Sequence, residues 1–128
     1  MGPALVAPAD VTVDAEVAQM FTHVVGTWGR GDLLVNNAGT FGPAGEIDPQ
    51  DWRRTIGVNL TGAFLCAHHA VRTMKQQDPR GGRLINNGST FDPTHVAEAV
   101  VQMARLPLGI TVPWMTIVAI GMLYGGRG

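Results

Sequence analysis

Asn36, Asn37, Ala38 and Gly39 follow directly on the apolar run 33–35, and they carry the first chemical suggestion in this chain. A continuous apolar run of that length reads as a parallel strand buried on both faces. It stops in two amides and two tiny residues. Backbone and short polar groups therefore stand at the carboxyl end of a strand, where an open α/β sheet leaves its ligand crevice. A second candidate strand, 83–89, also runs into small residues and ends on the hydroxyl of Ser89. Taken alone, that serine is a turn residue. Asn59 lies inside a long helical pattern, where asparagine is mildly unfavourable, so a reason for its presence is expected. Asp10 and Thr12 precede another helix, and either could cap it.

Other chemistries fall away. Cys66 is the single cysteine, which excludes an internal disulfide framework and a CxxC metal site. His68 and His69 are neighbours and on a helix point about 100° apart, so they cannot grip one metal together. His23 and His95 belong to no ligand motif, and no metal centre is expected. Gly26, Gly29 and Gly31 imitate a phosphate loop but lie between a helix and a strand; a dinucleotide fingerprint must follow a strand and open a helix. They read as a helix stop. The run Gly39, Gly42, Gly45 follows a strand, yet Pro43 and the delayed helix start make it a loop along the crevice. A formal net charge of −1 gives no electrostatic case for nucleic acid or an anionic membrane.

The elements that must hold these residues alternate. Val17, Met20, Phe21, Val24, Val25 and Trp28 form one apolar stripe, which predicts a helix over 14–27. A second helix opens with Asp48 as cap and Pro49 at its first position and runs to 74. Trp52, Ile56, Leu60, Ala63, Phe64, Ala67, Val71 and Met74 are expected on its core side. Asp92 and Pro93 open a third helix, 93–105. Weak strand character at 5–7 and a strand over 110–120 complete the pattern. The uncharged stretch 106–126 is long enough to cross a bilayer. Pro107, Gly109, Pro113 and Gly121 interrupt it, and its β-branched residues favour a buried strand. With 128 residues, 45% hydrophobic and 15% charged, the chain reads as one α/β domain over 1–128.

Asn-Asn-Ala-Gly at a strand end resembles the short-chain dehydrogenase/reductase family, whose members carry that tetrapeptide after the fourth strand of a nucleotide-binding sheet. The likeness extends, in order, to Asp10-Val11, to Asn59 within Gly57-Val58-Asn59-Leu60-Thr61-Gly62, and to Ser89. It implies that Asp10 and Val11 lie against the cofactor's adenine, and that Asn37, Ala38 and Gly39 line the cofactor crevice. It also implies that Asn59 bends its helix and holds a water feeding a proton relay, and that Ser89 bonds the substrate carbonyl or hydroxyl. The implied cofactor is NAD or NADP, and the implied reaction is hydride transfer with a small alcohol or carbonyl compound.

The family's acid/base tyrosine and its lysine, four residues apart on one helix, have no counterpart. The one tyrosine is Tyr124, and the one lysine, Lys75, precedes Ser89. No Gly-x-x-x-Gly-x-Gly follows a first strand, so the pyrophosphate cradle is missing and dinucleotide binding is expected to suffer. The expectation is therefore a partial Rossmann-type doubly wound parallel sheet, roughly half of a full member, with impaired catalysis. Strands without their usual neighbours should leave apolar edges, met by self-association or a full-length family partner. The alternative is a non-catalytic subunit-interaction module acting through the helix 49–74. Without a recognisable secretory signal, the cytoplasm is the expected compartment.

Overall fold

The computed structural model describes residues 3–40, 48–87, 93–107 and 110. The chain divides into two compact units, Met1–Gly88 and Ser89–Gly128. In the first, the order is α1 (Asp14–Trp28), β1 (Leu33–Asn36), α2 (Pro49–Ile56), a π-helical turn (Gly57–Gly62), α3 (Ala63–Gln76) and β2 (Arg83–Asn86). The two strands pair in parallel, Leu33 with Arg83 through Asn36 with Asn86. A crossover through helices joins them, as parallel pairing requires. This is the α/β, Rossmann-type arrangement anticipated, reduced among the described residues to a two-stranded sheet.

The predicted helix boundaries hold to within two residues. α1 ends at Gly29, whose φ of 78° lets its N–H reach back to the Val25 carbonyl at 2.7 Å. That left-handed position favours glycine, and it confirms the helix stop. Asp48 caps α2 by accepting from the N–H groups of Gln50 and Asp51, at 2.6 and 2.9 Å. The cap of α1 is different from the expected Asp10 or Thr12. Val13 occupies that position with no side-chain bond, while Asp10 and Thr12 bond each other one turn earlier.

Three packing expectations are corrected. The stripe expected to face the core from the second helix is only partly inside: Trp52, Leu60 and Phe64 are 58%, 64% and 64% exposed, and Val71 is exposed too, while Ile56, Ala63 and Ala67 are half-buried. The buried row is Gly62, Cys66, Ala70 and Met74, of which Met74 alone was expected there. The π turn inserts an extra residue and rotates everything after it. Small residues then let α3 lie close on the sheet. Second, β1 is not buried on both faces. Asn36 turns toward α3, while Leu33 and Val35, on the other side of the pleat, remain 41% and 37% exposed. Third, residues 5–7 form no strand, and Val6 is 80% exposed. An extended segment needs a neighbour to pair with, and the described residues offer none.

α1 is fastened to α3 by apolar and polar contacts together. Val17 is fully buried, Phe21 stacks on His69 with ring centres 6.0 Å apart, and His69 Nε2 lies 2.8 Å from Asp14 Oδ1. His69 thus joins the two helices through its ring and its Nε2. Among the described residues, no group of His, Cys, Asp and Glu could hold a metal ion.

In the second unit α4 spans Pro93–Arg105, as expected. Past it, Leu106 N–H reaches the Met103 carbonyl and Ile110 N–H the Pro107 carbonyl, at 3.4 and 2.9 Å. Apart from Ile110, which is not in a strand, the expected strand 110–120 lies outside the described residues. No described helix is long and apolar enough to cross a membrane.

Candidate functional site

The π turn organises the site. Gly62 lies so near Val11 that an added Cβ would meet Val11 Cγ2 at 2.7 Å and the Val11 carbonyl at 3.3 Å. Gly57 likewise faces Thr12. Between them Asn59 closes on the loop after β1: its Nδ2 donates to the Thr40 carbonyl at 2.9 Å, and its Oδ1 accepts from Thr40 N–H at 2.8 Å. One six-residue segment therefore gathers the two candidate cofactor stretches, Asp10-Val11 and Asn37-Ala38-Gly39. The segment that bears Asn59 is π-helical, and the asparagine side chain bonds the Thr40 backbone, not its own helix. Each polar end of the Asn59 side chain makes one bond to Thr40.

The strand ends carry a feature that the sequence reading overlooked. Asn36 Nδ2 donates to Asn86 Oδ1 at 2.9 Å and to the Ala63 carbonyl at 3.1 Å. One step further on, Asn87 Nδ2 donates to Asn37 Oδ1 at 2.7 Å. The ladder continues alongside, Asn87 N–H bonding the Asn36 carbonyl at 2.9 Å. Both strands end in an aliphatic pair followed by Asn-Asn, at 34–37 and 84–87. In register, that repeat builds a paired row of amides at the carboxyl edge. The repetition was the available clue.

Asp10 uses one carboxylate oxygen, Oδ1, to accept from Thr12 N–H at 2.8 Å and from the Thr12 hydroxyl at 2.7 Å. These bonds, the hydroxyl first, hold its carboxyl below the ordinary range, so it is ionised at neutral pH. Its N–H is held by Glu16 at 2.7 Å. The second oxygen, Oδ2, makes no hydrogen bond among the described residues. With Asn37 and Gly39 also at the surface, the residues present fit an adenine amino group at one edge and ribose or carboxamide oxygens at the other. Burial pushes the Cys66 thiol up, which disfavours its thiolate. Ser89 lies outside the described residues.

Lys75 lies far from the amide row. Gln77, two residues beyond Lys75, accepts from Gly31 N–H at 2.9 Å, just ahead of β1. Ala63, at the other end of α3, is the residue bonded by Asn36. Twelve residues of helix separate Ala63 from Lys75, about 18 Å at the usual rise. The amine thus belongs to the sheet's amino end, opposite the amides.

Residues 2–101 match the family model described as short chain dehydrogenase. The chain is 37% identical over 92 residues to the short chain dehydrogenase/reductase dpfgG of Gibberella zeae, covering 70% of this chain and 34% of that protein. Over 82 residues it is 43% identical to an oxidoreductase of Thermotoga maritima, covering 62% of this chain and 31% of that one. A short-chain dehydrogenase/reductase structure from Burkholderia xenovorans is similar with a TM-score of 0.56 at 36% identity, covering 61% of this chain and 30% of that chain. The matched stretch therefore covers about a third of these relatives, and 52% of dpmpG from Macrophomina phaseolina. On the strength of the matched residues and the parallel sheet they build, this chain belongs to the short-chain dehydrogenase family of oxidoreductases.

Proposed function

We propose that the carboxyl edge of this chain faces the nicotinamide dinucleotide, NAD or NADP, of a hydride-transfer site, and that these 128 residues do not complete the proton step. When bound, the dinucleotide would supply or accept the hydride of an alcohol–carbonyl interconversion. Asp10 would accept from the adenine amino group through its unengaged oxygen. Asn37, Ala38 and Gly39 would line the crevice, and Asn59 would hold the Thr40 loop against the π turn. Ser89 is assigned the substrate oxygen on resemblance alone. The observation that carries the reading is the position of Lys75. An acid/base pair needs its proton donor within hydrogen-bond reach of the reacting oxygen, and the one lysine stands at the other end of α3. The compartment proposed is the cytoplasm.

The test pairs binding with turnover. Titration of the labelled chain with oxidised dinucleotide should shift the amide resonances of Asn37, Gly39 and Thr40, saturating only at millimolar concentration or above. No alcohol oxidation should accompany it. Shifts elsewhere, with those three unmoved, would remove the site.

A second reading is favoured by the exposed row Trp52, Leu60, Phe64 and Val71. Apolar surface of that extent on one helical stretch suits a subunit contact, so the segment 49–74 would serve association with a second copy or a full-length family member. Leu60→Glu with Phe64→Glu should leave stability within about 0.5 kcal/mol, as surface changes do. The pair should nevertheless reduce the sedimentation mass to that of a monomer. A wild-type chain already monomeric at high concentration would eliminate self-association.

A further inference from the structure

The amide row at the strand ends has two steps of different character. At the first step, Asn36 Nδ2 is shared between Asn86 and the Ala63 carbonyl, so that side chain is committed to joining sheet and helix. At the second step, Asn87 and Asn37 meet through one bond, Asn87 Nδ2 to Asn37 Oδ1 at 2.7 Å. Asn37 is exposed, and its Nδ2 makes no hydrogen bond among the described residues. A primary amide has an acceptor end and a donor end, and fixing one settles which is offered outward.

We infer that Asn87 is a positioning residue: it occupies the carbonyl end of the Asn37 amide and leaves the NH2 donor for a ligand. A donor so held recognises oxygen, whether of a ribose hydroxyl, a carboxamide or a phosphate. It does not recognise an amine or a ring N–H. The order Asn37-Ala38-Gly39 suits this, because the small neighbours leave the amide unobstructed. Holding the amide in advance also spares the ligand the cost of ordering it. The inference rests on the dinucleotide-facing reading for the identity of the ligand, though not for the orientation of the amide.

The orientation is read without any ligand. In a 13C,15N-labelled chain, a through-hydrogen-bond correlation should connect Asn87 Nδ2 to Asn37 Cγ. A correlation running from Asn37 Nδ2 to Asn87 Cγ, or none in either direction, would overturn the inference. Asn87→Asp then supplies only acceptors, so Asn37 must turn its NH2 inward and offer oxygen to the ligand. Asn87→Leu merely releases it. Followed through the Gly39 and Thr40 amides, oxidised dinucleotide should bind Asn87→Asp more weakly than wild type by about tenfold. For Asn87→Leu the loss should be only a fewfold. Equal losses in both variants would show that donor presentation is irrelevant and would sink the proposal. If the wild type shows the correlation and no dinucleotide shifts, Asn87 keeps its positioning role and the dinucleotide reading falls instead. A variant that loses its amide fingerprint is discarded, and the wild-type correlation decides.

Discussion

The two ends of the same short sheet are built on opposite plans. At the amino end, polar groups are consumed by one another. Arg30 grips both carboxylate oxygens of Asp32 at 2.8 to 2.9 Å and reaches the carbonyls of Asp78 and Pro79 at 3.2 and 3.4 Å. Gln77 takes Gly31 N–H at 2.9 Å and gives its NH2 to the Gly81 carbonyl at 2.6 Å. At the carboxyl end, amides pair and yet keep donors and acceptors in reserve: Nδ2 of Asn37 and Oδ2 of Asp10. A cluster that satisfies itself closes loops. One that holds its members by one end offers the other to a ligand. The contrast is what favours the carboxyl end as the candidate site, and Lys75 lies toward the other end.

That comparison can be tested where each end depends on close approach. Gly62→Ala should have the largest effect, costing about 2–3 kcal/mol in urea denaturation, because the new Cβ would collide with the branched Val11 side chain and its backbone. Gly82→Ala at the amino end meets Met74 at equally short range, 2.5 to 2.7 Å. A flexible thioether can move aside, so a loss nearer 1 kcal/mol is expected. If Gly82→Ala proves the more damaging, the π turn is not the keystone of the fold.

Asn59→Ala should come next, at about 1 kcal/mol for two bonds on an exposed side chain. Hydrogen exchange gives the sharper readout: the Thr40 amide should lose its protection while the Val35 amide keeps it. Unchanged protection at Thr40 would detach Asn59 from the loop.

The smallest effect distinguishes the ends electrostatically. Arg30 holds the Asp32 carboxyl below its ordinary 3.8, first by hydrogen bonding, so Asp32 contributes stability above that value and loses it as the pH falls through its lowered pKa. Asp32→Asn should flatten that part of the acid limb. Asp10 is also lowered, but by the neutral Thr12 hydroxyl and N–H. Added salt should therefore raise the Asp32 midpoint measured by NMR and leave that of Asp10 nearly still. Equal salt shifts would erase the distinction.

Much of the fold was legible because its markers are local. Asp48-Pro49 starts a helix, Gly29 stops one, and the aliphatic runs before Asn36 and Asn86 make strands wherever a parallel neighbour exists. What escaped depends on partners remote in sequence. Nothing in Gly57-Val58-Asn59-Leu60-Thr61-Gly62 announces a π turn, and with the turn unseen, a regular helical wheel put Leu60 and Phe64 in the core in place of Cys66 and Ala70. The exposure of Leu33 and Val35, and the missing strand at 5–7, follow from which neighbouring elements are there to cover or pair with them. At the site, Asn37 and Gly39 could be read from a motif. Asn87 could be found only by laying two Asn-Asn pairs in register.

Turnover by the purified 128-residue chain is the most direct test. Incubated with millimolar NAD or NADP and a panel of secondary alcohols, it should form no reduced nicotinamide above the blank, even while Asn37, Gly39 and Thr40 respond to the dinucleotide. Saturable reduction that disappears in Asn59→Ala would mean that a group able to take the alcohol's proton is in place after all, and it would contradict the account.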